Sequence, residues 1–241
     1  MYLRPKAMNS RLWFMRLEEK VEISLLIIKY AIEKYARIFA ACSFGKDSRV
    51  IVDLGMQVKP DLKFIGIDTG YEFKETLSFA EQLLEETKMN FQWAKPSEKD
   101  RENIKKEYGG SFIKDSQYKC CAMKVPAIKP FLKTHDAWIS GLRRDEAESR
   151  KNTKIIEEGK IIKINPIAFW TKDDVWQYIK ENNLIYHPLY NQGYSSLGCK
   201  PCTSKSEVFV AGSQLKQSER SGRFINTDQE GKECGLHLIS K

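Results

Sequence analysis

The stretch Arg37-Ile-Phe-Ala-Ala-Cys42, broken at once by Ser43-Phe-Gly-Lys-Asp-Ser48, decides the architecture. An apolar run this short, rich in β-favouring residues, reads as a buried strand, and the small and polar residues after it end it abruptly. Working outward, residues 50–58 read as a helix and Lys63-Phe-Ile-Gly-Ile-Asp68 as a second strand stopping at Thr69-Gly70. Residues 72–87 read as a helix and 90–94 as a third strand. Strands alternating with helices imply βαβ units and a parallel sheet. Upstream, Leu17, Val21, Leu25, Ile28 and Ile32 share one face of a helix over residues 16–35. Downstream, Ala137-Trp-Ile-Ser140 reads as another central strand closed by Gly141, and residues 152–164 as a hairpin about Glu158-Gly159. Thr171 is a good N-cap for a helix over 172–182, with Asp173 and Asp174 in its first turn. From Tyr186 onward Gly, Ser, Pro and Cys dominate, and loops are expected. The expected fold is α/β: an open, mostly parallel sheet flanked by helices, with a loop-rich C-terminal segment.

In such a fold a ligand sits beyond the carboxyl ends of the strands, where Ser43-Phe44-Gly45-Lys46-Asp47-Ser48 lies. The reading gives Gly45 the positive φ of the turn, the free N–H groups of the loop and helix start an anion-binding role, and Ser43, Ser48 and Lys46 additional donors. The loop is similar to the pyrophosphate loop of the adenine-nucleotide α-hydrolase group, and by itself it does not choose among that group's members.

The 241-residue chain carries a formal charge of +8, with 30% charged and 41% hydrophobic residues. That balance favours anionic partners and is also met on ordinary lysine-rich surfaces. No apolar run approaches the ~20 residues of a membrane span, and no secretory signal is evident, so a cytoplasmic setting is expected. Six cysteines in a reducing compartment point to metal or catalytic chemistry before disulfides. Cys120-Cys121 and Cys199-Lys-Pro-Cys202 sum to four thiolates, a set that suits zinc or a [4Fe–4S] cluster. A directly adjacent Cys-Cys pair, placed in loop-like sequence, is an awkward hook for a small tetrahedral ion and favours the cluster. Cys42 reads as core, His135 as surface, His187 as shaping the turn at Pro188, and the tryptophans as packing. Cys234, in Lys232-Glu-Cys-Gly-Leu-His237, is the candidate nucleophile, its thiolate favoured by Lys232 and His237 and by Arg220 and Arg223 if they fold close.

Several further stretches, taken in order, resemble the assimilatory sulfonucleotide reductase family, in its cluster-containing adenylyl-sulfate reductase branch. They are Cys120-Cys121, Gly141-Leu-Arg-Arg-Asp145 with Arg150, Asn165-Pro-Ile-Ala-Phe-Trp-Thr171, and His187-Pro-Leu-Tyr-Asn-Gln-Gly-Tyr194 running into Gly198-Cys199-Lys-Pro-Cys202. Arg220-Ser-Gly-Arg223 and Glu233-Cys-Gly-Leu-His237 complete the series, and with Ile67-Asp-Thr-Gly70 the match covers nearly everything after Ala40. Two departures stand out. Lys46-Asp47 occupies a place where the reductases more often have a small residue and an acidic pair, and the stretch around Lys124 is one residue short.

The resemblance implies three parts: an N-terminal helical segment (1–36), a nucleotide- and cluster-binding α/β domain (37–212) and a C-terminal catalytic tail (213–241). It implies substrate contacts from residues 43–48, Asp68, Thr69, Gly70, Gly141, Arg143, Arg144 and Arg150. Cys234, His237, Arg220, Arg223 and Lys124 would be catalytic, and Cys120, Cys121, Cys199 and Cys202 would hold a [4Fe–4S] cluster. It further implies adenylyl sulfate as substrate, a thioredoxin-type dithiol as reductant and a homo-oligomer, with no membrane or nucleic-acid partner. The 3′-phosphorylated nucleotide is the alternative substrate. An ATP pyrophosphatase that modifies nucleic acid is the alternative of another class, supported by Lys46, and a zinc-bound nucleic-acid module is the weakest.

Overall fold

The structure is a computed structural model and describes residues 12, 14–115, 117–205 and 218–224. Among these, six strands form one sheet in the order β3-β2-β1-β6-β8-β7. The strands are β1 (Ile38–Ala41), β2 (Phe64–Ile67), β3 (Phe91–Ala94), β6 (Ala137–Ile139), β7 (Ile156–Glu157) and β8 (Ile162–Ile164). All neighbours are parallel except the β7–β8 hairpin at the edge. A small antiparallel pair, β4 (Ile113–Lys114) and β5 (Gln117–Tyr118), stands apart.

The alternation of side chains along a strand sorts the core into two faces. Phe39 and Trp138 are register partners pointing to one side, where they meet Ala127 and Ile128 of α5 (Lys119–Thr134). Ala40, Ile139 and Ile164 point to the other, against α1 (Leu17–Lys34), α2 (Lys46–Val58), α3 (Lys74–Thr87) and α6 (Lys172–Glu181). Val50, Ile51, Val52 and Leu54 of α2 are wholly buried, each contributing about 1.5–3 kcal/mol by removal from water. The first helix is bound into this core: Lys20 pairs with Asp174 at 2.6 Å, and Ser24 both donates to the Pro166 carbonyl and accepts from Trp170 Nε1.

The expected elements are present, with five adjustments. Helix α2 begins at Lys46, so half of the quoted loop is its first turn. Positive φ falls on Phe44 (61°), not Gly45 (−78°). The Phe44 ring, packed on Phe91 and Trp93 at 5.5 and 5.3 Å, fixes that left-handed backbone, which costs a non-glycine residue on the order of 1 kcal/mol. Cys120 and Cys121 lie in the first turn of α5 and not in a loop, in a helix that carries Pro126 and Pro130. His135 is half-buried and set edge-on to Phe39 at 5.0 Å, where an exposed ring was expected. Helix α4 (Glu98–Tyr108), capped by Ser97 and Asp100, was not evident from periodicity because its surface is almost entirely charged.

Strand order places the site. From β1 the chain steps outward through β2 and β3, then returns to β6 on β1's other side. The carboxyl ends of β1 and β6 therefore form a crevice that no crossover covers.

Candidate active site

Two loops wall this crevice, one running from β1 into α2 and one leaving β6. They touch so closely that a Cβ on Gly141 would lie 3.0 Å from the Asp47 carbonyl carbon and 3.2 Å from Ser48 N. Glycine is required there by contact. Between the loops lies a cavity of about 160 Å³, lined by Ser43, Gly45, Lys46, Asp47, Ser48, Gly141 and Arg150. It opens beside a second chamber of about 110 Å³ with apolar walls, among them Phe44, Ile65, Trp93 and Trp138. Lys124 and Trp138 belong to both.

The charged chamber holds more ion pairs than free charge. Lys46 Nζ lies 2.8 Å from Asp47 and 3.0 Å from Glu219. Arg143, fully buried, reaches Asp47 through Nε at 2.5 Å and Glu219 through Nη2 at 2.5 Å. Arg150 pairs with Glu146, whose carboxylate also accepts from Arg143 N. Burial works against the Asp47 carboxylate, but Arg143 and Lys46 outweigh it and hold its pKa well below the usual range. Burial likewise opposes the Lys46 ammonium, and Asp47, Tyr190 and Glu219 hold it above the ordinary lysine value.

The cysteines cluster behind a second wall, to which Cys199 alone of the four contributes, in the apolar chamber. Sulfurs of Cys120, Cys199 and Cys202 lie within 4.8 Å of one another, and Cys121 touches Cys120 and Cys202. All four side chains are buried, packed with Tyr118 and Phe224. Four thiols this close compete for protons: hydrogen bonds with Cys121, Cys199 and Cys202 push Cys120 up, and the bond from Cys120 pulls Cys202 down. A bound cation removes that competition by ionising all four. The start of α5 adds its positive end to the same spot, and Arg223 Nη2 lies 3.5 Å from Cys202 Sγ. The donor set and its surroundings therefore fit a thiolate-bound metal centre. Arg223 also lines the charged cavity, so one guanidinium touches both walls.

Other predicted residues lie elsewhere. Arg144 turns away and donates to the Thr153 carbonyl at 2.7 Å. Asp68 pairs with Lys95, and Gly70 shapes the turn after β2 with a φ of 82°. Thr69 lies 3.4 Å from Cys199 Sγ and so belongs to the cysteine wall, not the cavity. Arg143 is consumed by carboxylates. Arg220 and Arg223 line the cavity as expected. Cys234 and His237 lie outside the described residues.

Sequence reasoning missed three residues here. Tyr190 accepts the Lys46 N–H at 3.0 Å, and burial pushes its own hydroxyl up to about 12. Glu219 supplies the second carboxylate. Glu72 caps the N–H groups of Thr69, Gly70 and Tyr71 and stands 3.7 Å from Cys199 Sγ. Tyr190 sat inside a quoted motif, but nothing in its spacing signalled a contact 144 residues away.

Comparison with known proteins bears on this arrangement. Residues 37–205 match the phosphoadenosine phosphosulfate reductase domain. The adenosine 5′-phosphosulfate reductase of Staphylococcus haemolyticus is 37% identical over 221 residues, covering 89% of this chain and 87% of that one. Adenosine 5′-phosphosulfate reductase 1 of Bacillus subtilis is 38% identical over 220 residues, covering 89% and 90%. Among solved structures, the phosphoadenylyl-sulfate reductase of Candida auris superposes with a TM-score of 0.64 at 24% identity, over 85% of this chain and 99% of its own. The Candida glabrata FMN adenylyltransferase shares the fold more distantly, with a TM-score of 0.59 at 16% identity over 97% and 85%. A β1–α2 anion loop and a buried four-cysteine cluster, linked through Arg223, on a chain with these relatives, leave one conclusion: the protein belongs to the phosphoadenosine phosphosulfate reductase domain family, the sulfonucleotide reductases.

Proposed function

We propose that the chain reduces adenylyl sulfate to sulfite and AMP. The observation that carries this reading is Arg223, which lines the anion-loop cavity and also reaches the buried four-cysteine cluster at Cys202. Curated relatives of similar length act, by name, on adenosine 5′-phosphosulfate.

In this reading the apolar chamber receives the adenine, between Phe44, Trp93 and Trp138. The N–H groups of the first turn of α2 that follow Lys46, with the hydroxyls of Ser43 and Ser48, take the phosphate. Arg150, Arg220, Arg223 and Lys124 face the sulfate and the charge that develops on the departing phosphate. The Cys234 thiolate attacks the sulfate sulfur: an Sγ–S bond forms, the S–O bond to phosphate breaks, and AMP leaves with the electron pair. A thioredoxin-type dithiol then attacks Sγ, sulfite departs, and a mixed disulfide forms. The dithiol's second thiol resolves it, restoring the Cys234 thiolate and leaving the reductant oxidised by two electrons. His237 and the arginines favour the thiolate throughout.

Cys120, Cys121, Cys199 and Cys202 would hold a [4Fe–4S] cluster, the adjacent pair suiting separated iron corners better than one tetrahedral ion. When bound, such a cluster supplies an ordered, charged wall to the site. The division into 1–36, 37–212 and 213–241, assembly of like chains and a cytoplasmic setting complete the proposal. No helix among the described residues is long and apolar enough to cross a membrane.

The test is sulfite release by anaerobically purified protein with a thioredoxin-type dithiol, on adenylyl sulfate and on its 3′-phosphorylated form. Sulfite formed preferentially from the first, and lost in Cys234→Ser, is the expected result. No sulfite from either, with iron bound and a competent reductant present, overturns it; ATP consumption with pyrophosphate release would instead mark a modifying enzyme.

A further inference from the structure

The phosphate loop contains a lysine that has no anion left to bind. Lys46 is 2% exposed, and its ammonium is shared by Asp47 at 2.8 Å and Glu219 at 3.0 Å. Its backbone N–H is likewise taken, by the Tyr190 hydroxyl. A lysine in a phosphate loop ordinarily extends toward a nucleotide's phosphates as a mobile point charge. Here the pair Lys46 and Arg143 is matched by the pair Asp47 and Glu219 inside a buried network, with little net attraction left over.

Glu219 is the unusual member. It arrives from 173 residues away in sequence, on a short stretch that also carries Arg220 and Arg223. Its Oε2 takes both Lys46 and Arg143, while its Oε1 is buried without a hydrogen-bond donor among the described residues. The stretch has further ties: Ser218 Oγ donates to the Glu146 carbonyl at 2.8 Å, and Ser195 Oγ to that of Glu219 at 2.6 Å. At its far end Phe224 N donates to the Cys202 carbonyl at 3.1 Å. The backbone ties alone fasten it to the Gly141 side and to the cysteine wall. Its ties to the start of α2 run through Glu219, directly to Lys46 and by way of Arg143 to Asp47, just before Arg220, which lines the cavity with Arg223.

We infer that Lys46 acts as a positioning residue and not as a phosphate ligand: through Glu219 it anchors residues 218–224 to the phosphate loop and so holds Arg220 and Arg223 over the substrate cavity. This rests on the proposed reductase activity only for its kinetic consequence. A small side chain at position 46 would leave Asp47 and Glu219 sharing Arg143 alone, with a surplus buried negative charge beside the entry of an anionic substrate.

The experiment compares the full-length holoenzyme with Lys46→Met, Glu219→Gln, the double variant and Lys46→Arg. Tryptic cleavage after Arg220 and Arg223, followed by mass spectrometry without nucleotide, reads the anchor independently of any activity. Both single variants should be cut about tenfold faster there, because cleavage follows the population of the opened segment. In turnover each single should lose about 10–100-fold in kcat, the scale of a displaced substrate-facing group. AMP affinity by calorimetry should stay within about twofold, a separation that a general loss of structure would not produce. The double variant should be no worse than the worse single, since both remove one tie, and Lys46→Arg should restore most of the rate. If Lys46→Met does not fold, the isosteric Glu219→Gln carries the same readings. Unchanged cleavage in the single variants overturns the anchor. So does AMP binding weakened tenfold or more by Lys46→Met with effects that multiply in the double, because lysine would then be touching phosphate. Wild-type protein inactive on both nucleotides would remove the reductase reading, while the cleavage rates would still decide the anchor.

Discussion

The two walls of the crevice handle charge in opposite ways. At the phosphate loop, Lys46, Arg143 and Arg150 are met by Asp47, Glu219 and Glu146, so cations and anions are matched within the protein. At the cysteine wall four sulfurs gather, and among the described residues Arg223 reaches one of them and Lys124 acts on Cys199. The first wall pairs its cations and anions internally, although Glu219 keeps one buried carboxylate oxygen without a hydrogen-bond donor among the described residues. The second gathers a donor set that could hold a metal, whose charge would ionise the thiols. The lesson is one of division: charges are matched within the protein around the loop, while at the cysteines the chain gathers thiols, with Arg223 reaching from one region to the other.

Substitutions at each wall should therefore fail differently. The largest effect is expected from Cys202→Ser. Bound iron per chain should fall to a small fraction of wild type and sulfite production by at least about a hundredfold, with the sheet intact by circular dichroism. Full iron content in that variant would break the contrast, since the fourth sulfur would then be dispensable. Arg143→Met should instead leave iron in place but cost about 3–5 kcal/mol in urea unfolding, because Asp47 and Glu219 lose a shared buried partner. A loss below about 1 kcal/mol would mean that the network relaxes into water and is no fixed frame.

The smallest effect concerns pH. His187 is buried, accepts the Leu189 N–H on Nδ1 and hydrogen-bonds Thr76 through Nε2 at 2.9 Å, so its proton sits on Nε2. Burial pushes its pKa down from 6.5 to about 4. A depressed value means the unfolded chain binds the proton first, so this contribution is intact above pH 6.5 and is lost as pH falls toward 4. The loss amounts to about 3 kcal/mol at most. The turn that His187 shapes carries Tyr190, so acid should loosen the phosphate side first. Unfolding free energies at pH 7 and pH 4.5 for wild type and His187→Asn check this: the wild type should lose more, and equal losses would remove His187 as the cause.

Much of this was legible beforehand where the signal is local. The strand before Ser43, the hairpin about Gly159 and the Thr171 cap follow from apolar runs, turn residues and capping chemistry that act within a few residues. The Thr171 hydroxyl accepts from Asp174 N at 3.1 Å, and the Asp174 carboxylate accepts in return from Thr171 N. Phe44 was misjudged because a ring packed on Phe91 and Trp93 outweighs the preference of its neighbour glycine for positive φ. The α5 start was misjudged because Pro126 and Pro130 weaken the helical pattern that tertiary packing restores.

Sequence alone determined the α/β architecture, the place of the anion loop and the count of thiolates, since each depends on residue type and short-range spacing. Tertiary structure alone decided which partner each charge meets. Lys46, Arg143 and Arg150 look identical in sequence to Arg220 and Arg223, and only folding brings Glu219 onto the first two and Cys202 onto Arg223. A charge is neutralised by what lies within a few ångströms of it, and those distances are set by a sheet that joins residues more than a hundred positions apart.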